Sequence, residues 1–167
     1  AANARFGPRK LDNTPHRFVV QGKPIEVYFS PSDGTNSKIV REISQAQRSV
    51  SFQLLLLTRR DIADALIARK NAGKRVRGDM DDSSDSGSQY SYLRANSIDV
   101  RLKTAGTTGL LHHKYALIDA ENPNWNPVTI TGSHNWSNSA ETQNNENTLV
   151  IRDGNIANQY LQEFAAR

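Results

Sequence analysis

Residues 50–57 read VSFQLLLL. The run is nearly all apolar and shows no alternation between its two faces, the pattern of a strand covered on both sides in the middle of a sheet. Such a strand needs helices above and below it, and the flanking sequence supplies them. A strand is expected at 25–29, followed by the turn SPSDGTNS and a helix over 38–47 with Ile39, Val40, Ile43 and Ala46 on one stripe. A second helix is expected over 61–71, with Ile62, Ala65, Leu66 and Ala68 inward and Gly73 as its stop. Strands then follow at 75–80, 99–103 and 147–152, with a helix over 89–96. A closing helix over 155–166 places Ile156, Tyr160, Leu161 and Phe164 inward. Strands alternating with helices predict an α/β fold, a mixed β-sheet sandwiched between helices. With 167 residues the chain is about one domain.

The chemistry gathers between residues 110 and 135, where LLHHKYALID is followed by a Pro/Asn-rich turn and VTITGSHNWS. Residues two apart on a strand share a face, so His112 and Lys114 point one way together, as do Ser133 and Asn135. Two such strand ends can hold one phosphate between a nucleophile and several hydrogen-bond donors.

His112, Lys114 and Asp119 fit the H-x-K-x4-D signature of the phospholipase D superfamily, and Gly132, Ser133 and Asn135 fit the G-S-x-N that follows it. Glu146, eleven residues after Asn135, resembles the family's downstream glutamate, which hydrogen-bonds the catalytic histidine. From about residue 24 to residue 164 the succession of elements resembles one whole repeat of that family, most like its compact bacterial endonuclease branch. The segment 120–131 is longer than the spacer of compact members, and ENPNWNP reads as an inserted turn at the rim of the site.

The resemblance implies roles. His112 is the nucleophile and forms a phosphohistidine. Lys114 and Asn135 hold the nonbridging oxygens, and Ser133 and Glu146 orient the histidine rings. A second, protonated histidine donates to the leaving oxygen and later activates water, which an ordinary pKa near 6.5 permits. His113 faces away from His112, so a core or supporting role suits it better. His134 faces away from Ser133 and Asn135 but is close enough to reach substrate at the rim. His16 lies in the N-terminal arm and reads as solvated. Family members draw their two histidines from two copies of the motif, and one copy is present here. A symmetric homodimer with the active site at its twofold axis is therefore expected, or a missing motif-bearing half. Asp119 is seven residues from His112 and would face away from it, which suits a structural task behind the site. Trp125 and Trp136 could stack on a base; the alternatives are a turn filler and a wall or interface residue.

Composition narrows the classes. The absence of cysteine excludes a disulfide framework, a thiolate zinc site and a cysteine nucleophile. No apolar run is long enough to cross a bilayer. A formal charge of +4 and a pI near 9.5 favour a polyanionic partner. Asp79, Asp81, Asp82 and Asp85 crowd one loop, but their spacing does not match a calcium loop, and a polar loop capping the 89–96 helix is the simpler reading. TAGTTG at 104–109 is expected to line the mouth of the site. Residues 1–23 carry Arg5, Arg9, Lys10, Arg17 and Lys23 against Asp12 and read as a basic arm or linker, with an edge strand at 17–20; 24–167 is the catalytic domain. The chain begins at Ala1 with no basic-then-apolar leader, which points to earlier processing or a chosen boundary. Its Asn/Ser/Thr-rich loops resemble secreted bacterial members.

The function expected is a metal-independent phosphodiesterase needing no cofactor, most simply a non-specific endonuclease on DNA or RNA. A phospholipase or phosphatidyl transferase on lipid diesters is the alternative within the enzyme class, and a non-catalytic nucleic-acid-binding module or an inactive half-enzyme lies outside it. Salt-sensitive binding marks nucleic acid, vesicle-dependent activity marks lipid, and affinity without turnover marks the module.

Overall fold

The computed structural model describes residues 5–167. Eight strands form one mixed sheet: β1 (Arg17–Val20), β2 (Lys23–Ser30), β3 (Ser49–Leu54), β4 (Arg75–Met80), β5 (Asp99–Leu102), β6 (Lys114–Ile118), β7 (Val128–Gly132) and β8 (Glu146–Arg152). Their spatial order is β1-β2-β8-β7-β6-β3-β4-β5. From β1 to β3 every neighbouring pair is antiparallel, whereas β3, β4 and β5 run parallel. Helices α1 (Thr35–Gln45), α2 (Arg60–Asn71), α3 (Tyr90–Ala95), α4 (Asn138–Thr142) and α5 (Gly154–Ala165) complete the chain.

β3 is buried along its whole length, as its composition predicts, but it ends at Leu54. The apolar run continues into a loop where Leu57 forms an isolated bridge with Trp136. Alternate residues of the central strands feed two cores. Val50, Phe52, Leu54, Ala116, Ile118, Val128 and Ile130 pack against Ile39 and Ile43 of α1 and Ile62 and Leu66 of α2. Tyr115 and Leu117 pack against Ala157, Tyr160, Leu161 and Phe164 of α5. Helices thus cover both faces of the sheet, which is the sandwich expected. Gly78 is required by close approach: a Cβ there would sit 2.2 Å from the Phe52 ring.

Several expectations need correction. The 3₁₀ turn that contains Trp125 joins the far ends of β6 and β7, so the ENPNWNP segment lies at the opposite end of that hairpin from His112, not at the rim. Trp125 takes the Arg48 guanidinium over its ring at 4.3 Å. The acidic loop does not cap α3, which has no side-chain cap; Asp81 instead accepts from the Leu111 amide at 2.6 Å. The edge strand at 17–20 is present as β1. His16 is not free in solvent: its ring stacks on Tyr28, Nδ1 lies 2.9 Å from the Val27 carbonyl and Nε2 2.9 Å from Asp12. Burial opposes its charge, but that carbonyl and the Asp12 and Asp33 carboxylates outweigh it and hold His16 above its ordinary pKa. Asp12, His16 and Asp33 have ligand atoms within 4.8 Å of one another. They do not suit a metal, because Asp33 is already engaged by the Phe29 amide and by Lys10.

Candidate active site

The β6–β7 hairpin brings its two motif segments to one end of the sheet, because His112 lies just before the start of β6 and Ser133 just after the end of β7. β8 begins there too, and pairs Thr148 with Gly132. Gly132 is the only residue type that fits: a Cβ would lie 2.2 Å from the Asn147 carbonyl oxygen. That close approach lets the Ser133 amide donate to the same carbonyl at 3.1 Å and delivers Ser133 to Glu146.

Two contacts define the site. Lys114 Nζ lies 3.0 Å from His112 Nδ1 and donates to the His112 carbonyl at 2.8 Å. Ser133 Oγ donates to Glu146 Oε2 at 2.5 Å. His112 and Ser133 are exposed, and Lys114 and Glu146 half-buried. Burial lowers the Lys114 pKa, opposed by the Glu146 charge. Within one chain no hydrogen bond joins Glu146 to His112; the carboxylate is held instead by Ser133 and by Asn144 Nδ2 at 3.1 Å. A cleft of about 420 Å³ opens beside them, lined by His112, His113, Lys114, Gly132 and Tyr160.

A supporting layer stands on the α5 face. His113 Nδ1 lies 3.0 Å from Gln53 Oε1, which also accepts from Tyr115 at 2.6 Å, and Gln53 Nε2 donates to Asp79 at 2.9 Å. Burial lowers the His113 pKa, which favours the neutral ring. This is the supporting role its strand parity predicts. Asp119 sits at the other end of β6, buried, with its carboxylate accepting from the amides of Gln47, Arg48 and Ser49 at 3.0, 2.7 and 2.9 Å. It ties the α1–β3 connection to β6 and does not touch His112.

Two residues expected at the substrate are elsewhere. His134 is 2% exposed, with Nδ1 3.3 Å from Ser30 Oγ, and burial drives its pKa down to about 4. It lies behind the site rather than at its rim. Trp136 is 1% exposed and packs against Phe52, so it is a core residue and cannot stack on a base. Asn135 lies in the same turn as Ser133, with a buried Oδ1 that has no partner among the described residues. Asn144 and Asn147 were not singled out by the sequence, although Asn147 donates to Ser133 Oγ from both its backbone and its side chain. The only signal is that both flank Glu146 in the run NNEN. The 104–109 loop borders a neighbouring cleft with Lys103 and Leu111, next to His112 in sequence.

An imidazole, an ammonium and a hydroxyl–carboxylate pair converge at this sheet end. The set suits attack on a phosphoryl group. Comparison with known proteins agrees. Residues 39–167 match the family model described as the PLD-like domain of cardiolipin synthase. A mitochondrial cardiolipin hydrolase from Xenopus tropicalis is 33% identical over 135 residues, covering 80% of this chain and 60% of that protein. A phospholipase D from Rickettsia prowazekii is 32% identical, covering 86% of this chain and 67% of its own. The chain spans between about half and three-fifths of the cardiolipin hydrolases it matches. Among solved structures, a phospholipase D family member from Salmonella typhimurium, Nuc, aligns with a TM-score of 0.74 at 26% identity, covering 86% of this chain and 92% of that one. NucT from Helicobacter pylori shares the fold at a TM-score of 0.72 and 24% identity, covering 85% of this chain and 95% of its own.

Proposed function

The chain belongs to the phospholipase D-like family, and from that premise we propose that it hydrolyses nucleic-acid phosphodiesters through a covalent phosphohistidine, without a metal, as a non-specific endonuclease. The reading rests on His112 and Lys114 meeting at 3.0 Å on the same sheet end as the Ser133–Glu146 pair. A ring nitrogen of His112 attacks phosphorus, and the bond to the leaving oxygen breaks as that oxygen takes a proton from a second imidazolium. Water then gives a proton to the now neutral second imidazole and attacks phosphorus, and the phosphorus–nitrogen bond breaks to restore His112. Lys114, drawn off the ring by substrate, neutralises the nonbridging oxygens together with Asn135, supplying charge that a metal would otherwise bring. The second imidazole is the His112 of another copy of this chain, placed across a twofold axis.

Nucleic acid is supported by the net positive charge and by the exposure of His112 and Ser133 at an open sheet end, which a long polymer can reach along its length. Lipid diesters are a second reading, favoured by the relatives named cardiolipin hydrolase and phospholipase D. The test is cleavage of plasmid DNA and single-stranded RNA in excess EDTA, comparing wild type with His112→Ala. Nicking that survives EDTA and disappears in the variant is the expected result. Cleavage that EDTA abolishes, or that His112→Ala retains, overturns the mechanism. Turnover of phospholipid vesicles with intact nucleic acid transfers the same mechanism to lipid.

A further inference from the structure

Six large apolar side chains are strongly exposed among the described residues, and five of them, Phe6, Leu11, Phe18, Val19 and Val20, fall in the first twenty positions. The sixth, Leu110, precedes His112 by two residues. Their clustering is not the loose fraying of a terminal tail, because the segment is fastened to the domain. The Gly7 amide donates to Asn145 Oδ1 at 3.0 Å, Lys10 donates to Ser32 Oγ at 2.6 Å, and His16 is held by Val27 and Asp12. β1 then pairs with β2 at the outermost position of the sheet, and all four of its side chains are exposed, so neither helical layer reaches over it.

The same stretch is cationic. Arg5, Arg9 and Arg17 are exposed and form no ion pair among the described residues, whereas the local acids are engaged, Asp12 by His16 and Asp33 by Lys10. We propose that the edge formed by residues 5–20, where β1 presents Phe18 and Val20 on one side and Arg17 and Val19 on the other, docks on an anionic lipid surface, on which the protein sits peripherally. Exposed aromatic and branched side chains interleaved with unpaired arginines bind an interface through both apolar burial and attraction to anionic headgroups. A nucleic-acid backbone would use the arginines but leave Val19, Val20 and Leu11 in water. A second copy of this chain would have to meet the arginines with acids that this face lacks. The contact at Asn145, one residue from Glu146, ties the start of this segment to the active-site end of the sheet, whereas β1 pairs with the Lys23–Glu26 end of β2, away from Glu146.

The experiment is co-sedimentation of the His112→Ala protein with vesicles of phosphatidylcholine alone or mixed with phosphatidylglycerol. Binding is expected only to the mixed vesicles, and to weaken with salt. Phe18→Thr/Val19→Thr/Val20→Thr, which keeps strand-forming residues, is expected to lower the affinity about tenfold or more, with an unchanged thermal unfolding midpoint. Arg5→Ala/Arg9→Ala, which leaves β1 untouched, lowers it about fivefold for each arginine removed. Absence of binding, or binding that neither variant weakens, overturns the proposal. So does sedimentation velocity showing that the threonine variant dissociates an oligomer, which would assign the face to a second copy. Loss of DNA affinity in the arginine variant without any vesicle binding would assign it to nucleic acid.

Discussion

His112 and His134 show how differently one residue type behaves at two depths. His112 is exposed and within reach of substrate, so His112→Ala is expected to lower the EDTA-resistant rate by about a thousandfold or more while leaving the unfolding midpoint within a degree or so. A variant that cleaves at near-native rates would remove His112 from the chemistry. His134 acts on stability instead. Its ordinary pKa of 6.5 is depressed to about 4, mainly by burial. Between those values the unfolded chain binds the proton more readily than the folded one. The stability it confers is complete above pH 6.5 and is lost as pH falls toward 4, by about 3 kcal/mol at most. Burial raises the neighbouring Glu141 pKa, which offsets part of the loss as that carboxyl takes up a proton. His134→Phe keeps the ring volume and removes the proton, so its plot of unfolding midpoint against pH is expected to be flatter on the acid side. An unchanged acid limb would refute this assignment. The sequence shows neither fact: strand parity turned His134 away from Ser133 and Asn135, but it cannot show that His134 or Trp136, just past a strand end, turns back under Ser30 or Phe52 rather than out to the rim.

Among the elements, the β6–β7 hairpin carries the design. One end holds His112 and Ser133; at the other, Asp119 fastens β6 to the start of β3 through three backbone amides. Asp119→Ala strands those amides and should cost about 3 kcal/mol or more in denaturant unfolding, while the variant, at temperatures where it stays folded, keeps its cleavage rate. A variant of native stability with lost activity would place Asp119 in the chemistry after all. Gly132→Ala is expected to reverse that pattern, because a Cβ against the Asn147 carbonyl displaces Ser133 from Glu146; cleavage should fall more steeply than stability. The hairpin's strands and motif were legible because alternation and spacing are local properties of a strand. The destination of its long turn was not, because whether a loop lies near or far from the site depends on which strand ends meet. The anchoring of the arm is hidden for a related reason. Its lack of period reads as linker, and nothing local reveals that Gly7 docks on Asn145 or that His16 stacks on Tyr28, contacts that span 138 and 12 positions.

At the scale of the whole molecule, one chain offers one exposed motif histidine, and the mechanism needs two. His113 is bonded to Gln53, His134 is buried behind the turn, and His16 is held in the arm, so none of the three can serve as the proton donor. If the donor is the partner's copy of His112, each site contains both copies and a mixed dimer contains no intact site. Activity in mixtures of wild type and His112→Ala, unfolded and refolded together at constant total protein, should then fall as the square of the wild-type fraction. Independent sites, each complete within one chain, predict a linear fall. A dilution series follows the same logic: specific activity should drop as the dimer dissociates, with a midpoint that matches the one found by sedimentation. A linear mixing curve together with concentration-independent activity would place the second proton donor within the chain, and Lys114, with its pKa lowered by burial and its ammonium 3.0 Å from the His112 ring, would be the first group to test in that role.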